Sequence, residues 1–345
     1  MLRAAVWYRP NEMRVEEVEE PKINAQEVLL KVKYCGICGT DLHAFTGEVP
    51  AEWLGMTPPI VFGHEFSAQV EEVGKEVRSL QKGDNVGVDP MYSCGTCVFC
   101  RRGDVKLCPT MRTIGYSENG AFAQYCKARS DLVYRLPADV SLEAGALLEP
   151  ISVSYHTIER AQIQPGTSVG IIGSGSIGLI LLQLAKAAGA YPLIITDILH
   201  EKLEIAKKLG ADFVLNSKEI DLAKEVKNIT DGNGLDVCIE AVGNGRTYEQ
   251  AISLVGTGGR AVLMGFCPEG TKINLDFWDL MQKEATIKLS RENPFTFAKA
   301  INAIKSGRVN AKALISHVFP LEEVVKGFES HKKEAGKTIK VLVKP

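Results

Sequence analysis

Ser168-Val169-Gly170-Ile171-Ile172-Gly173-Ser174-Gly175-Ser176-Ile177-Gly178, with Tyr191-Pro192-Leu193-Ile194-Ile195-Thr196-Asp197 after it, decides how this chain is read. A short apolar run enters a glycine-rich turn. Ile177, Leu181, Leu184, Ala185 and Ala188 then recur at helical spacing, and Gly189 closes the helix. A second apolar run follows and ends in an acid. A lone G-x-G-x-x-G is a weak signal; set between a strand and a helix, with an acid about 20 residues further on, it is the dinucleotide-binding fingerprint.

Each position in that turn has a physical task. Gly173 permits the tight turn, Gly175 lets backbone approach a pyrophosphate, and Gly178 lets the helix pack closely on its strand. Ser174, Ser176 and Ile177 complete the turn and open the helix, whose unpaired N–H groups and dipole favour phosphate. Asp197 is placed to accept hydrogen bonds from ribose hydroxyls and to repel a 2′-phosphate. No arginine follows it, and Lys202 is the nearest cation, so NAD is expected rather than NADP. Val242, beyond a strand at 237–240, is a further candidate cofactor contact.

Working outward, strand and helix patterns alternate from about residue 151. Strands are expected at 169–172, 193–196, 213–215, 237–240, 261–264 and 286–289, with helices at 177–188, 201–209, 222–229 and 248–254. That rhythm predicts a doubly wound, six-stranded parallel sheet in an α/β fold. Residues before 150 read differently. Short strand patterns at 4–8, 13–18, 28–34, 67–73 and 86–89 suit a β-rich, barrel-like domain with long loops. Val28, Leu30 and Val32 alternate with Lys31 and Lys33, as in a half-buried strand. After residue 290, helices at 295–305 and 321–330 and strands at 315–319 and 338–343 are assigned back to the first domain. The expected domains are a catalytic β-rich domain at 1–152 with a metal lobe at 90–110, a dinucleotide domain at 153–290, and a return to the catalytic domain at 291–345.

Composition excludes several functions. The 345 residues are 45% hydrophobic, enough for two cores, and the net charge of −2 carries no basic block, so nucleic acid is not an expected partner. The apolar run at 2–8 is too short for a signal peptide, and that near 171–188 is broken by glycines. A soluble cytoplasmic protein without a membrane partner is therefore expected. Of nine cysteines, four fall within fifteen residues, which points to metal rather than disulfides.

Those four, Cys94-x-x-Cys97-x-x-Cys100-x7-Cys108, are spaced to close a tetrahedral shell around a structural zinc with no open position. A redox dithiol is the rival reading, but such pairs accompany βαβ units and this lobe does not. A looser set comprises Cys38, His64, Glu65 and Glu149. From spacing alone these are a thiol, an imidazole and two carboxylates, which periodicity does not bring together.

In combination they carry a resemblance. Cys35-Gly36-Ile37-Cys38-Gly39-Thr40-Asp41-Leu42-His43, Gly63-His64-Glu65, the four-cysteine lobe, Leu148-Glu149-Pro150, the dinucleotide turn and Phe319-Pro320-Leu321-Glu322-Glu323 occur in one order. Over nearly its whole length the chain resembles the zinc-containing medium-chain alcohol and polyol dehydrogenases. The Glu149-Pro150 junction, where the alcohol dehydrogenase branch has a second cysteine ligand, is similar to the sorbitol dehydrogenase branch, related to butanediol and threonine dehydrogenases.

The resemblance implies two zinc ions, one catalytic and one structural, and NAD. It makes Cys38 and His64 catalytic zinc ligands, Glu65 a direct or close third ligand, and Glu149 either a ligand or the holder of a zinc-bound water. Thr40 and His43 belong to a proton relay, and Asp41 is read as a loop-stabilising hydrogen bonder. Trp53, Phe122 and Arg291 are substrate candidates, with Met56 as a further pocket wall. The implied reaction is hydride transfer from a secondary alcohol, foremost a sugar alcohol, to NAD. L-threonine 3-dehydrogenase and 2,3-butanediol dehydrogenase are the alternatives. A zinc-free quinone reductase of the same superfamily is more distant, because those enzymes lack Cys38 and His64. A homodimer or homotetramer is also implied.

Overall fold

The computed structural model describes all 345 residues, Met1–Pro345. They form two compact units, one of Met1–Ser152 with Pro294–Pro345, the other of Val153–Asn293.

The second unit holds a six-stranded, wholly parallel sheet in the order Phe213–Asn216, Leu193–Asp197, Val169–Ile172, Leu235–Glu240, Val255–Leu263 and Thr286–Leu289. This is the doubly wound α/β fold that the alternating pattern predicts. Val169–Ile172 lies at the centre, between strands on both sides, and all four of its residues are buried. A strand covered on both faces reads as a continuous apolar run, which is why no alternation marks it. The helix Ser176–Ala187 buries Leu179 to Ala185 without interruption. Chain order reverses beside the central strand, so the loops after Ile172, Asp197 and Glu240 gather at the carboxyl ends of the strands, where such sheets take their ligands.

The first unit is β-rich, with a three-stranded and a seven-stranded sheet. Glu27–Gly36 is the central strand of the larger one, bonded to Glu65–Val73, to Tyr125–Arg129 and to Lys340–Lys344. Val28, Leu30 and Val32 are buried, Lys31 is exposed and Lys33 half-buried, as the alternation predicts; Leu29, on the side of the lysines, is buried as well. The last strand, Lys340–Lys344, pairs antiparallel with it through Leu342–Gly36 and Val343–Cys35. The chain terminus therefore returns to the segment that leads into Cys38. Trp7, Phe62, Phe66, Phe122 and Phe328 fill the core, each almost wholly buried, and each burial contributes roughly 1.5–3 kcal/mol.

Candidate metal centres and dinucleotide site

The Cys94, Cys97, Cys100 and Cys108 sulfurs all lie within 4.8 Å of one another. Cys97 and Cys100 Sγ are 3.4 Å apart, and Cys94 and Cys100 Sγ are 3.9 Å apart. A tetrahedron of metal–sulfur bonds has edges of about 3.8 Å, so the donor set fits zinc. Backbone N–H groups point at the sulfurs: Cys97 N donates to Cys94 Sγ at 3.3 Å, and Cys94 N to Cys108 Sγ at 3.4 Å. The Thr96 hydroxyl and the Thr96 and Cys97 amides pull the Cys94 thiol down to about 5. All nine cysteines are free thiols.

The second centre forms on three elements of the first unit. Cys38 is the N-cap of the helix Gly39–Thr46, and its N–H donates to Asp41 Oδ2 at 3.1 Å. His64 and Glu65 lie where the chain enters the strand Glu65–Val73, and both are buried. One donor atom each from Cys38, His64 and Glu65 falls within 4.8 Å of the others. The buried Asp41 Oδ1 lies 3.4 Å from His64 Nδ1, which turns the opposite nitrogen, Nε2, toward the remaining donors. An acid behind a histidine is the usual support of a metal-ligating imidazole. Burial alone would lower the His64 pKa, but the fields of Asp41 and Cys38 outweigh it and raise it well above the ordinary value. A thiolate, an imidazole and a carboxylate fit zinc, with a position left open.

Tyr116 completes the floor. Its ring centroid is 4.8 Å from that of His64, and its hydroxyl is 3.5 Å from His64 Nε2. Nearby, Thr40 Oγ1 lies 3.7 Å from Cys38 Sγ. Burial, then the negative fields of Asp41 and Cys38, push the phenol well up, so it stays a hydrogen-bond donor. Glu149 is buried outside the three-donor group, and its field reaches both Tyr116 and Lys340. His43 Nδ1 stands 2.7 Å from Glu48 Oε2, an exposed carboxylate.

The substrate candidates separate. Trp53 is half-exposed on the turn Ala51–Leu54, whereas Met56 is buried. Phe122 is no pocket wall: it is 0% exposed, its N–H bonds Phe62 O, and its ring meets the edge of Phe328. Arg291 is exposed in the second unit and paired with Glu292.

In the dinucleotide turn, Gly173 has φ of +97°. A Cβ on Gly178 would stand 1.8 Å from Gly173 O, so the helix start packs against the turn itself. A Cβ on Gly175 would meet nothing, which leaves that face clear for a ligand. No side chain caps the helix Ser176–Ala187, so its first N–H groups remain available to an anion. Asp197 is held by four donors: Ser174 N at 2.8 Å and Ser174 Oγ at 2.9 Å on Oδ2, and Ile198 N at 2.7 Å and Leu199 N at 3.0 Å on Oδ1. The Ser174 hydroxyl thus turns toward Asp197. Lys202 lies on the next helix, His200–Lys208. Val242 is 47% exposed, and Glu240 Oε1 accepts from Val242 N and Gly243 N to shape that loop.

Tyr116, Lys340 and Glu240 carried no local signal in the sequence; Asp41 was read as a loop-stabilising hydrogen bonder, and its second oxygen also faces His64.

Comparison with known proteins agrees with this geometry. Residues 24–138 match the family described as alcohol dehydrogenase GroES-like domain, and residues 176–306 match zinc-binding dehydrogenase. The chain is 35% identical to sorbitol dehydrogenase of Bacillus subtilis over 345 residues, 100% of this chain and 97% of the relative. It is 36% identical to L-threonine 3-dehydrogenase of Pyrococcus abyssi, over 94% and 93% of the two chains. A solved zinc-binding dehydrogenase from Sinorhizobium meliloti bound to NADP superposes with a TM-score of 0.92 at 31% identity, covering 100% and 99%. The protein is a nicotinamide-dependent zinc oxidoreductase. It belongs to the zinc-containing medium-chain alcohol and polyol dehydrogenase family.

Proposed function

We propose that this protein oxidises a secondary alcohol, foremost a sugar alcohol, to the ketone with NAD as hydride acceptor. The observation that carries the reading is the convergence of Cys38, His64 and Glu65 on one point, with Asp41 behind the imidazole. Zinc held by these residues would supply Lewis acidity, bringing the pKa of a hydroxyl bound to it down toward neutral as it does for bound water, which favours departure of hydride to the nicotinamide.

The chain's own groups handle the proton. Thr40 Oγ1 accepts it from the substrate oxygen while passing its own proton on through the cofactor ribose, and His43, tied to the exposed Glu48, exchanges it with solvent. Glu65 is the third ligand. Glu149, outside the three-donor group, holds water or takes the proton as base. The Tyr116 phenol donates a hydrogen bond toward the substrate oxygen.

Asp197 supports NAD over NADP, since a carboxylate at the ribose repels a 2′-phosphate. The relative bound to NADP makes this a point to measure. The Glu149-Pro150 junction supports a polyol; the threonine dehydrogenase relative keeps threonine as the second reading. Initial rates of NADH formation on sorbitol, xylitol, threonine and 2,3-butanediol, with NAD and NADP in parallel, test this. Highest kcat/KM on a polyol with NAD is expected. Silence on every polyol, with turnover of threonine, would reverse the substrate assignment.

A second copy of the chain is proposed to cover the edge of the parallel sheet. The edge strand Thr286–Leu289 leaves Leu289 70% exposed, and Phe277 and Trp278 on a helix of the same unit are 76% and 68% exposed. An open strand edge beside large apolar side chains is an association surface.

A further inference from the structure

Lys340 is a buried cation inside the metal centre. Its three ammonium hydrogens meet three acceptors: Glu65 Oε2 at 2.7 Å, Glu65 Oε1 at 2.9 Å and Ile37 O at 3.1 Å. An ammonium has three donors, so none remains for solvent or substrate. The Lys340 and Glu65 side chains are 3% and 1% exposed. Gly36 closes the carboxylate's other side, where a Cβ would stand 2.3 Å from Glu65 Oε2. The ammonium rides on a strand held on both sides, by Ile315–Pro320 and by Glu27–Gly36. It therefore joins the residue before Cys38 to the residue after His64.

We propose that Lys340 is a positioning residue for the metal: it shares the Glu65 carboxylate, so that Glu65 meets the ion with part of its charge and one place on the ion stays open for the substrate oxygen. This rests on reading Cys38, His64 and Glu65 as the catalytic metal site. A thiolate and an unshared carboxylate together carry two negative charges, which neutralise a divalent ion and blunt it as a Lewis acid. A carboxylate released from Lys340 is also free to grip the ion through both oxygens. The ammonium prevents both, at the cost of weaker metal binding. A buried ion pair with a purely structural role would change folding stability, but it would not tighten the metal when broken.

The test uses the full-length wild type with Lys340→Met, Lys340→Arg, Glu65→Gln and the double variant Glu65→Gln/Lys340→Met. Zinc affinity of the second centre is measured by chelator competition, and the visible spectrum is recorded after cobalt(II) substitution. Lys340→Met is expected to bind zinc about tenfold or more tightly, the size of effect that loss of a cation a few ångströms away carries, with weaker cobalt absorption as coordination number rises. Lys340→Arg stays near wild type, and the double variant gains far less over Glu65→Gln than Lys340→Met gains over wild type, because no carboxylate is left to share. Equal or weaker zinc binding by Lys340→Met, with an unchanged cobalt spectrum, overturns the proposal. If Lys340→Met does not fold, Lys340→Gln, which keeps a hydrogen-bond donor but not the charge, is measured against wild type in the same way and decides in its place. Wild-type zinc and cobalt properties that survive Cys38→Ser unchanged would sink the metal-site reading itself, a failure separate from that of Lys340.

Discussion

Asp41 shows how much one side chain carries at this site. One oxygen caps the helix that presents Cys38, and the other faces His64 Nδ1. Asp41→Asn keeps the shape and removes the charge. Zinc affinity of the second centre is expected to fall roughly 10–100-fold, with the four-cysteine metal retained, as chelator titration will show. At Asp197, replacement by Ala removes the repulsion of a 2′-phosphate. The NAD/NADP ratio of kcat/KM is expected to drop at least about tenfold, read from initial rates with each cofactor. Residues of this kind were unevenly legible. Cys38 and His64 are quotable from the sequence, but Lys340 lies 275 positions from Glu65. Only the pairing of the last strand with Glu27–Gly36 brings the two together, and no local pattern announces that pairing. Tyr116 lies 52 positions from His64, and nothing local links the two.

At the scale of elements, the parallel sheet was the most legible part, because periodicity and fixed glycine spacing are local properties of the chain. The packing of Gly178 on Gly173 O is the physical content of that spacing. The four-cysteine lobe was legible for the same reason: its donors lie within a fifteen-residue segment. The β-rich unit was harder, since its strands are short and pair far apart along the chain. Phe122 shows the limit, as an aromatic side chain can line a pocket or fill the core, and only the packing of its ring against Phe328 decides between them. The lobe makes its own prediction. It contains only short helical turns and a two-stranded ladder, Met91–Tyr92 with Arg112–Thr113, so the metal must hold it. Cys97→Ser is expected to lower stability by on the order of 2–4 kcal/mol, measured by chemical denaturation, and to lose one zinc.

For the whole molecule, no helix is long and apolar enough to cross a membrane, and the edge strand Thr286–Leu289, with Leu289 exposed, is where the proposed self-association is tested. Leu289→Lys, at a side chain 70% exposed, should cost the monomer little and weaken self-association. Sedimentation or light scattering is expected to show an oligomer for wild type and a shift toward monomer for the variant. An oligomer of unchanged size at low protein concentration would remove that edge as the interface.

The central claim is that Cys38, His64 and Glu65 share one catalytic metal, separate from the four-cysteine metal, and metal analysis of Cys38→Ser tests it most directly. Two zinc ions per chain are expected in wild type and one in Cys38→Ser, with the variant folded and NADH formation abolished. Two zinc ions in the variant, or undiminished NADH formation with one, would contradict the account.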